Sequence, residues 1–381
     1  MSRDVLVTSV QPFALGSPGG GPKILRSVLA GLEAPFAAVC TLPGTPTIPL
    51  LRNEVHIPNR RSFGRIEATR FGFVADVGEF SERRRFRMRL ATACQASDTT
   101  VIHGLAHSMD FWPAFQTARL MGVGYCLSIH DDLAYHARVR PFIRAALPRL
   151  RQVWKEAGAR TVITEALGEE YCRRYGPAPY TVVTDGVDTY AEAPTKNVGW
   201  RLYFMGLPHI SYTPNFSAIV RALETISRKF DDSATLICRC GGLPAIPDPI
   251  GLLRVLPFGT DADLAEDFLS ADMLYLPMPF DPRYDLFTRF SFSTKAVSYL
   301  ATGIPIIYHG PRDSATGRLL AKHDAAVFLD NLNPEQLASE LEHLSDSRRK
   351  EIASNALELA RTNFRLRDQQ RNFRDAILSC T

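Results

Sequence analysis

Four segments hold residues whose types and spacing suit chemistry. The richest is Phe290-Ser-Phe-Ser-Thr-Lys-Ala-Val-Ser-Tyr-Leu-Ala-Thr-Gly-Ile-Pro-Ile-Ile307. It joins hydroxyls and a lysine just inside a helix start to small residues, a Gly303-x-Pro305 step and an apolar strand. Ser293, followed by Thr294, is placed to cap that helix, while the N–H groups of its first turn would face a diphosphate. Lys295 would neutralise phosphate charge through charge-assisted hydrogen bonds.

The second segment is Leu127-Ser-Ile-His-Asp-Asp-Leu133, at the carboxyl end of an apolar run. Here His130 can hydrogen-bond a sugar hydroxyl or stabilise charge near a phosphate, and Asp131 can accept a proton from an acceptor hydroxyl. A helix cap at Asp131 or Asp132 beside a structural histidine fits the same residues. A metal set of His130, Asp131, Asp132 and His136 matches no strong ligand spacing. The third is the loop Gln11-Pro-Phe-Ala-Leu-Gly-Ser-Pro-Gly-Gly-Gly-Pro-Lys23. Gly19, Gly20 and Gly21 allow close backbone approach, and the helix start that follows offers N–H groups to a phosphate. The loop lacks Gly-Lys-Ser/Thr and the Gly-x-Gly-x-x-Gly spacing, so it is neither a P-loop nor a dinucleotide fingerprint. A flexible turn fits it equally well. The fourth, Val182-Val-Thr-Asp-Gly-Val-Asp188, reads as a strand ending in a turn at Asp185.

These segments sit on a regular alternation of short apolar runs and longer amphipathic stretches, which predicts parallel sheets covered on both faces. Strands are expected near Val5–Val10, Phe36–Thr41, Thr99–His103, Tyr125–His130, Thr161–Thr164 and Thr181–Thr184. Helices are expected near Pro22–Leu32, Arg83–Ala96, Trp112–Met121, Pro141–Glu156 and Leu167–Tyr175. The polar stretch from Asp188 to Gly199 has no apolar period and reads as a linker. Strands then resume near Arg201–Met205, Thr235–Arg239, Arg254–Leu256, Met273–Leu276, Ile304–Tyr308 and Ala326–Leu329. The expected helices of this half lie near Pro214–Phe230, Asp263–Ser270, Thr294–Ala301, Pro334–Leu344 and Arg348–Thr362, with a last one over Leu366–Leu378. The predicted domains are 1–188 and 200–362, with residues 363–381 as a C-terminal helix able to pack back on the first. Ligands of such sheets bind outside the carboxyl ends of the strands, so two such domains would line a shared cleft.

Composition narrows the class. Apolar residues make up 45% and charged residues 22% of 381, ordinary for a globular chain and unlike a disordered one. The apolar stretch after Met1-Ser2-Arg3-Asp4 is too short for a secretory signal, and no run is long enough to span a membrane. Seven scattered cysteines, with only Cys238 and Cys240 close together, predict reduced core thiols and a cytoplasmic protein. Residues 1–188 carry 23 Lys and Arg against 17 Asp and Glu, densest at Arg83, Arg84, Arg85, Arg87 and Arg89, with Phe80, Phe86, Met88 and Leu90 interleaved. Such a run is either a solvated basic face or a contact with an anionic membrane surface. No aromatic-basic module for nucleic acid accompanies it.

Taken in order, the segments resemble those of GT-B glycosyltransferases of the group 1, family 4 type. Tyr299-Leu-Ala-Thr-Gly-Ile-Pro305 resembles the family's Glu-Tyr-Leu-Ala-x-Gly-x-Pro run. Ser17-Pro-Gly-Gly resembles its glycine loop, Thr100-Val-Ile-His103 its Asp-Val-Val-His strand, and Ser128-Ile-His-Asp131 its Thr-Val-His-Asp. Thr181-Val-Val-Thr-Asp-Gly-Val-Asp188, Phe204-Met-Gly206 and Val255-Leu-Pro-Phe-Gly259 resemble its Val-Ile-x-Asn-Gly-Val-Asp, Phe-x-Gly and Val-x-Phe-x-Gly. The resemblance implies an α/β fold of two doubly wound Rossmann-like domains facing a central cleft. It implies sugar transfer from a nucleotide diphosphate donor, UDP- or GDP-linked, to a saccharide or lipid-linked acceptor, as in bacterial surface-polysaccharide synthesis. No cofactor or metal is implied, because helix ends and basic side chains hold the diphosphate.

Carried over position by position, the donor site takes Gly19, Gly20, Gly21, Asp185, Gly206, Phe258, Ser293, Thr294, Lys295 and Ser298, with Asp281 and Asp285 toward the donor sugar. Asp131 is the base of an inverting reaction. In a retaining one, slightly favoured, His130 and the donor phosphate carry the chemistry and Asp131 orients. Three departures stand out. Ser298 replaces the Glu that grips the ribose, Phe290 replaces its partner Glu eight residues earlier, and Leu207-Pro-His-Ile-Ser-Tyr-Thr-Pro-Asn215 replaces a basic pair. They motivate a second reading, a non-catalytic GT-B protein that binds a sugar nucleotide or a partner glycosyltransferase; a sugar-nucleotide epimerase is a third.

Overall fold

The protein is described here from a computed structural model covering residues 5–17, 19–41, 47–57, 72–139, 141–191, 199–230, 234–243 and 245–381. Met1–Asp4, Pro18 of the glycine loop and residues 192–198 of the expected linker lie outside the described residues, as does the side chain of Arg83. The chain forms two compact units. The first comprises Met1–Gly186, Phe290–Phe292 and Leu366–Thr381; the second comprises Val187–Arg289 and Ser293–Arg365.

The first unit holds a seven-stranded sheet. Its strands are β1 (Val7–Gln11), β2 (Phe36–Cys40), β3 (Glu54–Ile57), β4 (Val101–Leu105), β5 (Gly124–Ile129), β6 (Ala159–Val162) and β7 (Thr181–Val182). They lie in the order β3-β2-β1-β4-β5-β6-β7, and every pairing is parallel. Residues of β1, β2 and β4 are buried throughout, the pattern of strands covered on both faces by helices. Strand order reverses between β1 and β4, which makes that edge the switch point of a doubly wound sheet. The C-terminal helix Leu366–Leu378 belongs to this unit. Phe373, Ala376 and Ile377 enter its core, and the Gln369 side-chain oxygen accepts the Thr184 N–H at 3.0 Å.

The second unit holds a six-stranded parallel sheet. Its strands are β8 (Arg201–Met205), β9 (Thr235–Arg239), β10 (Leu253–Leu256), β11 (Met273–Pro277), β12 (Ile306–His309) and β13 (Val327–Leu329). The order is β10-β9-β8-β11-β12-β13. Helix Thr213–Phe230 covers one face, burying Phe216, Ile219, Val220, Leu223 and Ile226 against Leu202, Phe204 and Tyr275. The α/β class and two doubly wound sheets anticipated from the alternation are thus present.

Several elements depart from the periodicity reading, among them helix Gly72–Ala96, which begins before the expected Arg83, and helix Asp285–Phe290, which was not anticipated. Strand β3 was not anticipated, since Glu54-Val-His-Ile57 has little apolar run. It pairs only with β2 at the sheet edge, where one pairing suffices, and buried Glu54 accepts the Leu51 N–H at 3.1 Å. Helices Leu133–Val139 and Ala315–Lys322 are short and hidden behind polar loops. The stretch expected as one helix over Pro141–Glu156 divides into a 3-10 turn, Pro141–Ala146, and a helix, Leu147–Glu156. Pro148 has no N–H for the Arg144 carbonyl, so a continuous α-helix cannot form there.

A buried polar chain crosses the middle of the first sheet. Thr161 and Ser128 hydroxyls lie 2.5 Å apart, Ser128 Oγ is 2.7 Å from His103 Nε2, and His103 Nδ1 is 2.9 Å from Ser9 Oγ. Ser9 donates onward to Gln11 Oε1 at 2.7 Å. With the Ser9 proton committed to Gln11, His103 must donate from Nδ1 and accept at Nε2, so the chain runs in one direction through a neutral ring. Burial, then His130 nearby, pushes the His103 pKa down to about 3, consistent with that neutral state. Phe373 packs edge-on to this ring with centroids 5.2 Å apart, locking the C-terminal helix over the chain. Replacing His103 by Leu leaves buried hydroxyls unpaired and should cost roughly 2–4 kcal/mol. A lowered unfolding midpoint in denaturant checks this.

Candidate active site

In the first unit the predicted residues follow the carboxyl ends of β1, β5 and β7. Asp131 and Asp132 follow β5 and have opposite fates. Asp132 is fully buried, accepts the Ala134 N–H at 3.0 Å as the cap of Leu133–Val139, and takes Arg174 Nη1 at 3.0 and 2.8 Å from its two oxygens. Arg174 is held in turn by Glu170 at 2.5 Å, and its guanidinium sits over the Phe290 ring. Asp132 is therefore the capping residue that the sequence left undecided between the two.

Asp131 faces the other way. Its Oδ1 accepts the Ser291 hydroxyl at 2.6 Å, and its Oδ2 lies 3.7 Å from His107 Nδ1 and 3.9 Å from His136 Nε2. Burial opposes ionisation of this carboxyl, but His107, His136, the Ser291 hydrogen bond and His130 together outweigh it and hold its pKa below the usual value. His130, 8% exposed, is driven by burial to a pKa of about 4 despite the pull of Asp131, so it is neutral at physiological pH. Its Nδ1 is buried with no hydrogen-bond partner among the described residues. The rings of His107 and His136 stand 4.3 Å apart. Ser291 reaches this site because Phe290–Phe292 pack in the first unit, where the Phe290 carbonyl also accepts the Thr164 hydroxyl at 2.7 Å.

The glycine loop lies at the end of β1. Gly19 takes φ 125° at the start of helix Gly20–Leu29, a backbone region that favours glycine. A Cβ on Gly21 would stand 3.0 Å from the Phe13 ring. Lys23, one turn into the helix, pairs with fully buried Asp185 at 2.7 Å, so Asp185 anchors the loop's helix.

In the second unit Lys295 is half-buried in helix Thr294–Leu300. Its ammonium stands 5.3 Å from the Phe204 ring centroid and 6.0 Å from that of Tyr212, and no carboxylate among the described residues ion-pairs with it. Burial lowers its pKa to about 8. Gly206 at the end of β8 has φ 91°, and a Cβ there would come 3.2 Å from Lys295 Cε, so backbone and space both require glycine. The Tyr299 hydroxyl accepts the Met205 N–H at 3.0 Å, pinning this helix to the end of β8. Ser293 occupies the cap position, but its side chain makes no capping hydrogen bond. Ser298 is half-buried on the same helix, and Phe258 lies against Gly241 on an exposed loop after β10. Asp281 is engaged locally: it caps the turn Pro282–Tyr284 and pairs with Arg283 at 2.5 Å. Asp285 opens helix Asp285–Phe290 and accepts the Leu286 N–H.

Three residues near these sites were not singled out from the sequence. Ser291 lay inside the quoted segment without a partner in sight. His107 stands four residues after His103, just past the end of β4, a position that a strand-end search would have flagged. His209 lies where the family's basic pair is missing. Burial, then the charge on Lys295, lowers its pKa, and it packs against Phe287 and Tyr284.

Residues 49–190 match the family model described as Glycosyltransferase Family 4. No curated protein sequence matches the chain. Among solved structures, the chain is similar to sucrose-phosphate synthase (tll1590) from Thermosynechococcus elongatus, with a TM-score of 0.69 at 13% identity over 99% of this chain and 100% of that one. It is also similar to Anabaena HepE, solved with UDP and glucose, with a TM-score of 0.67 at 12% identity over 98% and 100%. A third is trehalose-6-phosphate from E. coli bound with UDP-2-fluoro glucose, with a TM-score of 0.65 at 13% identity over 98% of each chain. The chain has the fold of these proteins, and residues 49–190 carry the sequence pattern of Glycosyltransferase Family 4.

The two neighbouring aspartates should separate in experiment. Asp132→Asn should cost about 3 kcal/mol of stability, the lower end for a broken buried pair because Glu170 keeps its hold on Arg174. Asp131→Asn should cost under about 1 kcal/mol. Thermal denaturation of the two variants makes the comparison.

Proposed function

We propose that the protein transfers a hexose from a nucleoside diphosphate sugar of the UDP-glucose kind to a hydroxyl of a saccharide or lipid-linked acceptor, with retention of configuration. One observation carries the donor half: a half-buried lysine with no carboxylate ion pair among the described residues, held against a glycine of positive φ at the carboxyl end of β8. An ammonium in that setting gains a diphosphate as its counter-ion. The UDP and UDP-sugar complexes of the structurally similar proteins support a uridine donor. In place of a carboxylate's two-point grip on the ribose, Ser298 offers a single hydrogen bond.

In the reaction the bond from the anomeric carbon to the diphosphate oxygen breaks as the acceptor oxygen bonds to the same face of that carbon. The acceptor's proton passes to the departing phosphate oxygen. Lys295 stabilises the charge that develops on the diphosphate. Neutral His130 hydrogen-bonds the sugar, and ionised Asp131 orients the acceptor hydroxyl. Asp281 and Asp285 lie at the loop after β11, toward the donor sugar in this reading.

Following nucleotide release across a panel of UDP- and GDP-sugars, with and without saccharide acceptors, tests the assignment. Acceptor-stimulated UDP release from one donor supports it; nucleotide binding without turnover on any donor overturns it in favour of a binding module. Lys295 gives a pH signature. The charged form binds, so UDP affinity should fall by roughly tenfold per unit above about pH 8. Lys295→Met should weaken binding at pH 7 and abolish that slope. Calorimetry from pH 6.5 to 9.5 reads both.

Exposed Arg84, Arg85 and Arg89 on helix Gly72–Ala96, with exposed Met88 among them, support peripheral contact with an anionic membrane, as at the inner face of the cytoplasmic membrane. Among the described residues no helix is long and apolar enough to cross a membrane. Changing Arg84, Arg85 and Arg89 to Gln should reduce sedimentation with phosphatidylserine vesicles at low salt; unchanged binding would leave the run a solvated face.

A further inference from the structure

We infer that His107, Asp131 and His136 form a binding site for a divalent transition-metal cation, on the first unit and separate from Lys295. Each residue offers one ligand atom, and the three atoms lie within 4.8 Å of one another. They come from the loop after β4, the loop after β5 and the helix Leu133–Val139, so the cluster is assembled by the fold and not by one local turn.

The donor set is chemically specific. Two imidazole nitrogens and one carboxylate oxygen suit zinc and its neighbours, whereas magnesium and calcium select oxygen alone. Around a zinc ion with ligands at about 2.0–2.1 Å, tetrahedral geometry separates ligand atoms by about 3.4 Å. The Asp131–His107 and Asp131–His136 distances of 3.7 and 3.9 Å need only a small side-chain rotation to reach that. The remaining oxygen of Asp131 is already fixed by the Ser291 hydroxyl at 2.6 Å, the outer-shell support that makes a carboxylate a directional single-oxygen ligand. A second observation points the same way. His130, within electrostatic reach of Asp131 and His107, carries a buried Nδ1 with no partner among the described residues. A bound cation keeps water or an acceptor oxygen in its open position, which would supply a hydrogen-bond partner to such a group. Three protein ligands leave that position open.

The inference shares Asp131 and His130 with the proposed reaction but rests on the first unit alone, so it stands or falls independently of the donor reading at Lys295. Zinc chloride titrated by calorimetry into the chelator-treated full chain is the test. The site predicts one ion per chain. His107→Ala and His136→Ala should each weaken it by about tenfold or more, Ser291→Ala by less, and exposed His343→Ala not at all. The histidine ligands are partly exposed, and circular dichroism of each variant confirms that it folds. Absence of stoichiometric binding overturns the site. So does binding that survives both ligand substitutions, which would mark the free thiols as the zinc ligands.

Discussion

Parallel pairing is the constraint from which the rest follows. Every strand of both sheets runs the same way as its neighbours. Each strand must therefore be followed by a crossover, and every loop after a strand emerges at the same edge of its sheet. The glycine loop, His107, Asp131 and Asp185 share one such edge in the first unit, and Gly206, Phe258 and Asp281 share the corresponding edge in the second. No residue had to be brought there individually. The buried chain from Thr161 to Gln11 then couples β6, β5, β4 and β1 sideways, in polar terms that hydrophobic packing alone does not supply.

At the carboxyl end of β5 the chain solves two problems with two adjacent aspartates. Asp132 closes the interior: it caps a helix, neutralises Arg174 and through it orders Glu170 and the Phe290 ring. Asp131, one residue earlier, is left half-buried among histidines. Alternation along the strand end sends successive side chains to opposite sides, so one carboxylate is a structural counter-charge and the next is available for chemistry. The strongly shifted groups follow this division. His103 and His130 are held neutral by burial, whereas Asp131 stays ionised because positive and hydrogen-bonding groups converge on it.

The alternation of apolar runs made the fold legible, since buried parallel strands must be almost continuously apolar. Strand β3 escaped because an edge strand beside a solvated face needs little apolar content. The segment around Lys295 was singled out because a lysine, Gly303 and a strand lie close together in sequence, whereas the glycine that stands against Lys295 is Gly206, from the end of β8. The surroundings of Asp131 were not. Ser291 is 160 positions away in the chain and His107 comes from the loop after β4, so of these three only His136 lay near enough in sequence to be named with Asp131. The choice between Asp131 and Asp132 as cap was also closed to the sequence, because it depends on Arg174 arriving from another helix.

The segments Phe290–Phe292 and Leu366–Thr381 place parts of the late sequence in the first unit, so the backbone passes between the two units four times. That connectivity removes the genetic modularity that two similar sheets suggest. A gene fragment ending at Gly186 would encode seven strands but not the phenylalanine that covers His103, nor the serine that steadies Asp131. Recombination that exchanges first units among proteins of this fold would therefore have to carry three separated pieces together. Gradual change within the loops is the easier evolutionary route.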